Sequence, residues 1–136
     1  MAISFDQLMG WWKLSEAWHE FETATRKHPF GGHPSGSLVF TPDGRMMLVI
    51  LATPGMARSP GHDVEAVSGS FALDGSEIVT KVDLSSNEPP VRSEVKYRAA
   101  LGQGGLLLCL TSRQFGRLYG GTPFTQASNW YRVRAP

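Results

Sequence analysis

The sequence has one cysteine, no apolar run of bilayer length and no block of like charge, and each shortage excludes something. Cys109 alone cannot close an internal disulfide. Within LLLCLT it reads as a small buried hydrophobe, and a reducing, cytoplasmic setting suits the chain. A spanning helix needs about 20 consecutive apolar residues; no stretch supplies them, so membrane insertion is not expected. The 13 Lys and Arg stand against 12 Asp and Glu with no basic run, which argues against nucleic acid or an anionic membrane as partner. The N-terminal MAISFDQLMG has neither a basic flank nor a long apolar core and does not read as a secretory signal. His28 and His33 are five residues apart among prolines with no third ligand near, so neither a metal nor another cofactor is expected. Ser68 and Ser70 flank Gly69 in a strand rather than at a strand-to-helix elbow, and GQGG is followed by no helix. Neither a nucleophile elbow nor a phosphate loop is therefore present.

What is there is alternation. VRSEVKYRAAL places Val91, Ser93, Val95, Tyr97 and Ala99 on one face and Arg92, Glu94, Lys96 and Arg98 on the other, a strand with one buried and one solvated side. GSLVFT and RMMLVILA flank the turn PDG, and VEAVSGSFAL and SEIVTKVDL flank the turn DG, each pair reading as a hairpin. LLLCLT and TQASNWYRVR follow, separated by the loop SRQFGRLYGGTPF. Loops are marked at TPGMARSPGHD and SSNEPP, and a further gap rich in His, Pro and Gly runs over residues 23–35. With the opening strand GWWKLSEAWHEF, this gives about eight strands joined in chain order, with no long helix; Phe5 to Met9 supply one helical turn. Residues 1–136 read as a single domain. The fold class is all-β, an eight-stranded antiparallel up-and-down barrel, since closure removes unpaired edges. A barrel of that size is filled by side chains or holds one small ligand.

In the opening strand, strict alternation puts Trp12, Leu14, Glu16 and Trp18 inside and Trp11, Lys13, Ala17 and His19 outside. Glu16 is then a carboxyl in an apolar interior, which costs several kcal/mol unless it is paired or protonated. That makes it an acid/base group and ligand anchor, one half of a structural ion pair with an inward Arg or Lys, or a residue near the mouth where water reaches it. Tyr97, on the apolar face of its strand, needs a partner for its hydroxyl, from a ligand or a neighbouring strand. In SEIVTKVDL the apolar set Ile78, Thr80, Val82 and Leu84 points inward, leaving Lys81 and Asp83 outside; both faces of RMMLVILA are apolar and do not separate. His28 and His33 are expected at the open end of the barrel as exposed loop residues or a gate. Phe115, Tyr119 and Phe124 are expected in a loop that lies over the mouth or acts as a lid.

Gly10-Trp11-Trp12 matches the G-x-W that begins the first strand of lipocalins, and Trp130-Tyr131-Arg132 is similar to the late Trp/Arg pair that closes those barrels. HPSGSLVFTPDGRMMLVILA and VSGSFALDG resemble the hairpin and the following strand of a bacterial and fungal lipocalin-like domain family. At the positions where many members carry a His pair, this chain has Thr80 and Lys81, so chemistry resting on that pair does not carry over. The resemblance implies a lipocalin-like barrel in which Trp12 plugs the closed end with Arg132 lying across it. It implies that one small, largely apolar organic molecule binds inside, against Leu14, Trp18, Phe40, Phe71, Val95 and Tyr119. The alternative is a cofactor-free enzyme, a cyclase, isomerase or dehydratase of a polyketide- or terpenoid-like intermediate, with Glu16 and Tyr97 as the catalytic acid/base groups. A homodimer is compatible with either reading.

Overall fold

The computed structural model describes residues 2–53, 64–86, 94–114 and 119–133. The expectations for Pro54 to Asp63, the SSNEPP loop from Asn87 on, Val91 to Ser93 and Phe115 lie outside the described residues. A short helix, α1 (Phe5–Leu8), precedes strands β1 (Gly10–Glu20), β2 (Arg26–Lys27), β3 (Ser35–Phe40), β4 (Arg45–Leu51), β5 (Val64–Asp74), β6 (Glu77–Ser85), β7 (Glu94–Gly102), β8 (Leu107–Gln114) and β9 (Phe124–Arg132). Every neighbouring pair is antiparallel, and β1 also pairs with β9, so β1 and β3 to β9 form a closed ring of eight. The extra strand β2 is a two-residue flap on the upper part of β1, in the gap where the sequence signalled only loop. β8 runs to Gln114, three residues past Thr111, taking Ser112 to Gln114 from the expected loop.

One end is plugged, as expected. Trp12 and Trp130 are fully buried, and the Arg132 guanidinium lies 4.2 Å over the Trp12 ring. Ser4 caps α1, accepting from the Gln7 backbone while Gln7 returns the bond, so even a four-residue helix is held at its start. Its last residue, Leu8, is buried, and its carbonyl accepts a 2.9 Å bond from Trp12 Nε1. Arg132 then reaches across to the carbonyls of Met9 and Gln7, tying the last strand to the helix. Above this floor, Leu38, Phe40, Met46, Leu48, Ile78 and Leu108 fill the lower barrel to near-complete burial. The faces of β4 are settled as Met46, Leu48 and Ile50 inside and Met47 and Leu51 exposed.

Two bulges set which side chains point inward. In β1, Leu14 pairs with Trp130 and Glu16 with Asn129, so Ser15 is an extra residue. At the same level β3 parts from β1, since their pairing ends at Lys13 and Ser37. Gly36 lets the packed lumen close here: a Cβ on it would sit 2.5 Å from the Val49 carbonyl and 3.2 Å from Leu14 Cβ. In the second bulge Ser68 pairs with Leu84 and Gly69 with Val82, leaving Asp83 extra on β6. Gly69 is obligatory there, because a Cβ would lie 2.0 Å from the Lys81 carbonyl oxygen. The expected inward set of β6 is therefore corrected at one position. Ile78 and Thr80 are buried, but Leu84, beyond the extra residue, turns out and is 71% exposed. Lys81 and Asp83 are exposed as expected, and Asp83 binds Arg45 at 2.5 Å and accepts from the Ser68 hydroxyl at 2.9 Å.

Trp12 carries the plug. Trp12→Ala should remove about 3–5 kcal/mol of stability and lower the melting temperature by on the order of 10 °C. Thermal unfolding followed by circular dichroism checks this, and a melting point within a degree or two of the parent would show that Trp12 is not a core plug.

Candidate functional site

The bulge at Ser15 inverts the upper half of β1. Ala17 and His19 are buried on the lumen side, while Glu16 is exposed. This corrects four expectations, beginning with Ala17, which was expected outside. Glu16 does not face the interior; its carboxylate accepts a 2.6 Å bond from Asn129 Nδ2 on the outer surface. Trp18 also turns outward and lies under the Arg26 guanidinium at 4.6 Å, with Arg26 paired to Glu20 at 3.1 Å. Its ring fastens the β2 flap rather than lining a cavity. His19, expected in solvent, is 3% exposed. The physical reason is common to all four: one extra residue moves every later side chain of the strand to the opposite face.

His19 anchors a polar chain. Its Nδ1 stands 2.8 Å from the Tyr119 hydroxyl and its Nε2 3.2 Å from Gln126 Oε1. The Gln126 side chain also comes close enough to Glu65 to favour its ionised form. With Gln126 Oε1 on the His19 side, the amide NH2 is the group turned away from the imidazole. His19 must then donate from Nε2, so its Nδ1 accepts from the Tyr119 O–H. Glu65 sits on β5 and Gln126 on β9, strands with three others between them in the sheet. Their side chains can meet only across the lumen. The register agrees, since Glu65 pairs with the fully buried Ile50 and Gln126 with His19.

Tyr97 from β7 completes the site. It is 4% exposed and inward, as expected, with Val95 beside it on the same face. Among the described residues its hydroxyl takes no hydrogen-bond partner. Burial lifts the Tyr97 pKa well above the ordinary phenol value, and the negative charge of Glu65 lifts it further. Burial likewise raises the Glu65 pKa above the usual carboxylate range, and the Gln126 bond offsets this only in part. Glu65 is nonetheless only partly covered, unlike the fully buried side chains of the floor. Ser112, buried and opposite Gln126, accepts from Gln114 Nε2 at 2.9 Å and keeps its own hydroxyl hydrogen for another acceptor.

Aromatic side chains close the mouth. Phe30 is buried and meets the His19 ring edge-on at 6.1 Å; its carbonyl is held by Thr53 N at 2.7 Å and Thr53 Oγ1 at 2.9 Å. Phe124 lies 4.4 Å from the His19 ring, and Tyr119 packs edge-on against Phe124 and Phe21. Tyr119 also lines a shallow depression of about 520 Å³ on the rim, with Phe21, Thr25, Lys27 and Pro123. Its ring thus stands between the outside and His19. His28 and His33 are exposed in the 28–34 loop, on the rim rather than in the lumen.

The remaining expected ligand contacts divide by height. Leu14 is inward at mid-barrel, beside the Trp130 level, and Val95 and Tyr119 are in the upper half. Phe40 and Phe71 belong to the plugged end, 5.1 Å from each other, with Phe5 of α1 stacked 5.3 Å from Phe71. Cys109 is half-buried on the outer face, paired with Asn129, rather than in the core; burial and then the Glu16 charge push its thiol pKa up. Glu65, His19, Gln126 and Ser112 were not among the expected site residues. For Glu65 the signal was available: counting back from Phe71 in steps of two reaches Gly69, Val67 and Glu65 on one face.

The raised pKa of Glu65 makes it a group whose stability contribution is full below the unfolded carboxyl value, about 4.3, and is lost as pH rises through the folded value. Glu65→Gln removes that loss. The variant should gain melting temperature over the parent progressively as pH rises from about 4 toward neutrality. Melting curves across that range test it, and parallel parent and variant curves would show that Glu65 is solvated.

No helix among the described residues is long and apolar enough to cross a membrane, and no group of three or more His, Cys, Asp or Glu among them is placed to hold a metal. No curated protein matches the chain. The model of the lipocalin-like domain family matches residues 9–70, from the end of α1 into β5. With that match over nearly half the chain, and eight antiparallel strands closed into a ring entered by one short helix and ending on Arg132, the barrel is lipocalin-like.

Proposed function

We propose that the protein binds one small, largely apolar organic molecule in the upper half of the barrel. The observation that carries this reading is the contact between Glu65 and Gln126 across the lumen. A packed barrel would fill that level with aliphatic side chains, as the lower half does. Here a carboxyl, an amide, an imidazole and a phenol face one another instead, a costly arrangement unless a ligand uses it. Leu14, Val95 and Phe124 offer apolar walls, and Tyr97 and Glu65 offer polar anchors. Tyr119 and Phe30 cover the molecule from the mouth. The lower half, with Phe40, Phe71 and Trp12, acts as a rigid floor.

A second reading is favoured by the raised pKa of Glu65. A carboxyl held protonated to higher pH than an ordinary one, beside a phenol that can hold an oxygen, suits an isomerase, cyclase or dehydratase of a polyketide- or terpenoid-like intermediate. In that reading Glu65 takes the role expected of Glu16, and Tyr97 keeps its own.

Native mass spectrometry of freshly purified protein, followed by extraction, is expected to reveal one bound molecule per chain. Val95→Trp, which projects an indole into the proposed site, should abolish its uptake while leaving the barrel folded. Uptake unchanged in that variant would place the ligand elsewhere. Returning the extracted molecule to the protein in deuterated water separates the two readings. Deuterium entering a carbon position at a rate that Glu65→Gln slows about 10²–10⁴-fold is the enzyme; no exchange with binding intact is the carrier.

A further inference from the structure

The charges around the lumen are distributed in a way that restricts its occupant. Alternation places Lys13, Arg45, Lys81, Lys96, Arg98 and Arg113 on exposed outer positions. Arg132 turns toward the barrel axis, but beneath the Trp12 ring, where it is spent on the carbonyls of Met9, Gln7 and Gly105. Lys27 stays on the rim, with its ammonium 5.0 Å over the Tyr119 ring and 5.9 Å from Phe21. Among the described residues, no Lys or Arg reaches Glu65. Among the described residues the titratable groups that face it are Tyr97 from β7 and, through Gln126 of β9, His19 from β1; its partner on β4 is the apolar Ile50.

We infer that the site takes a neutral ligand whose polar end accepts hydrogen bonds, a ketone, aldehyde or ester carbonyl, and rejects ligands headed by a carboxylate. This rests on the reading of the upper lumen as the ligand site. Three donors point there. The Tyr97 O–H has no partner among the described residues. The Ser112 hydroxyl has its oxygen engaged by Gln114 but its hydrogen free for an acceptor. The third is Glu65 itself, which burial keeps protonated further toward neutral pH than an ordinary carboxyl. A carbonyl oxygen satisfies two of these donors without bringing a charge. Among the described residues a carboxylate would find no Lys or Arg to meet it and a second carboxyl beside it, and two such groups close together in a desolvated site cannot both ionise. An alkyl ammonium would pair with an ionised Glu65, but it would leave the Tyr97 hydrogen without an acceptor.

The test uses delipidated full-length protein and displacement of an apolar fluorophore by a methyl ketone, a fatty acid and a primary amine of equal chain length at neutral pH. The ketone is expected to bind at least about tenfold more tightly than the other two, the worth of roughly one well-formed hydrogen bond and an avoided charge. Tyr97→Phe should weaken the ketone by about two- to tenfold. Glu65→Gln should hold the ketone while bringing the fatty acid closer to it. A fatty acid or amine that matches the ketone on the parent protein overturns the inference. So does fatty-acid binding that Lys27→Gln abolishes, since the head would then lie at the rim. Fluorophore binding that the ketone does not displace also overturns it and leaves the site standing; no binding of any probe removes the site and the inference together.

Discussion

The extra residue Ser15 in β1 is the constraint on which the upper barrel depends. Below it, Trp12 and Leu14 point into the core; above it, Ala17 and His19 do. Without that insertion the same strand would bring Glu16 and the Trp18 indole inside and send His19 to solvent. Gln126 would lose its imidazole partner, and the Tyr119 hydroxyl would have no Nδ1 to close on. The bulge lies where β3 separates from β1, so the strand is free of its lower neighbour at the residue where it must bend. Bulges concentrate where a strand has to re-aim a side chain, and here the re-aimed side chain is the centre of the polar chain.

This divides the molecule into a floor and a chamber. The floor is held by the burial of two tryptophans and by Arg132, which closes the last strand onto α1 through the carbonyls that a four-residue helix leaves unsatisfied. Its interior polar groups are few, and one of them, the Thr80 hydroxyl, is buried without a partner among the described residues. In the chamber the balance reverses. Polar groups there are linked to one another from Tyr119 to Glu65, and the linkage spans strands that do not touch in the sheet. Such a chain orients its end group: Gln126 is fixed by His19, and Glu65 by Gln126. The packed half thus supplies the frame for the half in which a carboxyl and a phenol face the lumen.

Much of the frame was legible in the sequence because its determinants are local. The Asp74-Gly75 and Pro42-Asp43-Gly44 turns announced their hairpins, alternation through β7 placed Tyr97 and Val95 inside, and the terminal tryptophans matched the lipocalin ends. The chamber was legible only where alternation runs unbroken. Glu65 shares the phase of Phe71 with no insertion between them, and so could have been read. Glu16, Trp18 and Leu84 could not, because a bulge depends on how two strands meet rather than on the residues of either one. Ser15 and Asp83 carry no local signal of being extra. β2 was hidden for a related reason: two residues have no periodicity, and Arg26 is held there by Trp18 and Glu20.

Which of the two glutamates faces the lumen decides whether the upper barrel is built this way. Side-chain nuclear Overhauser contacts from Glu16 and Glu65 in isotopically labelled protein measure this directly. The Glu65 methylenes should give cross-peaks to the Tyr97 ring and the Gln126 amide, and those of Glu16 to the Asn129 amide. Cross-peaks from Glu16 to Tyr97 or to the leucines of β8, with none from Glu65, would contradict the inversion of β1 and the chamber built on it.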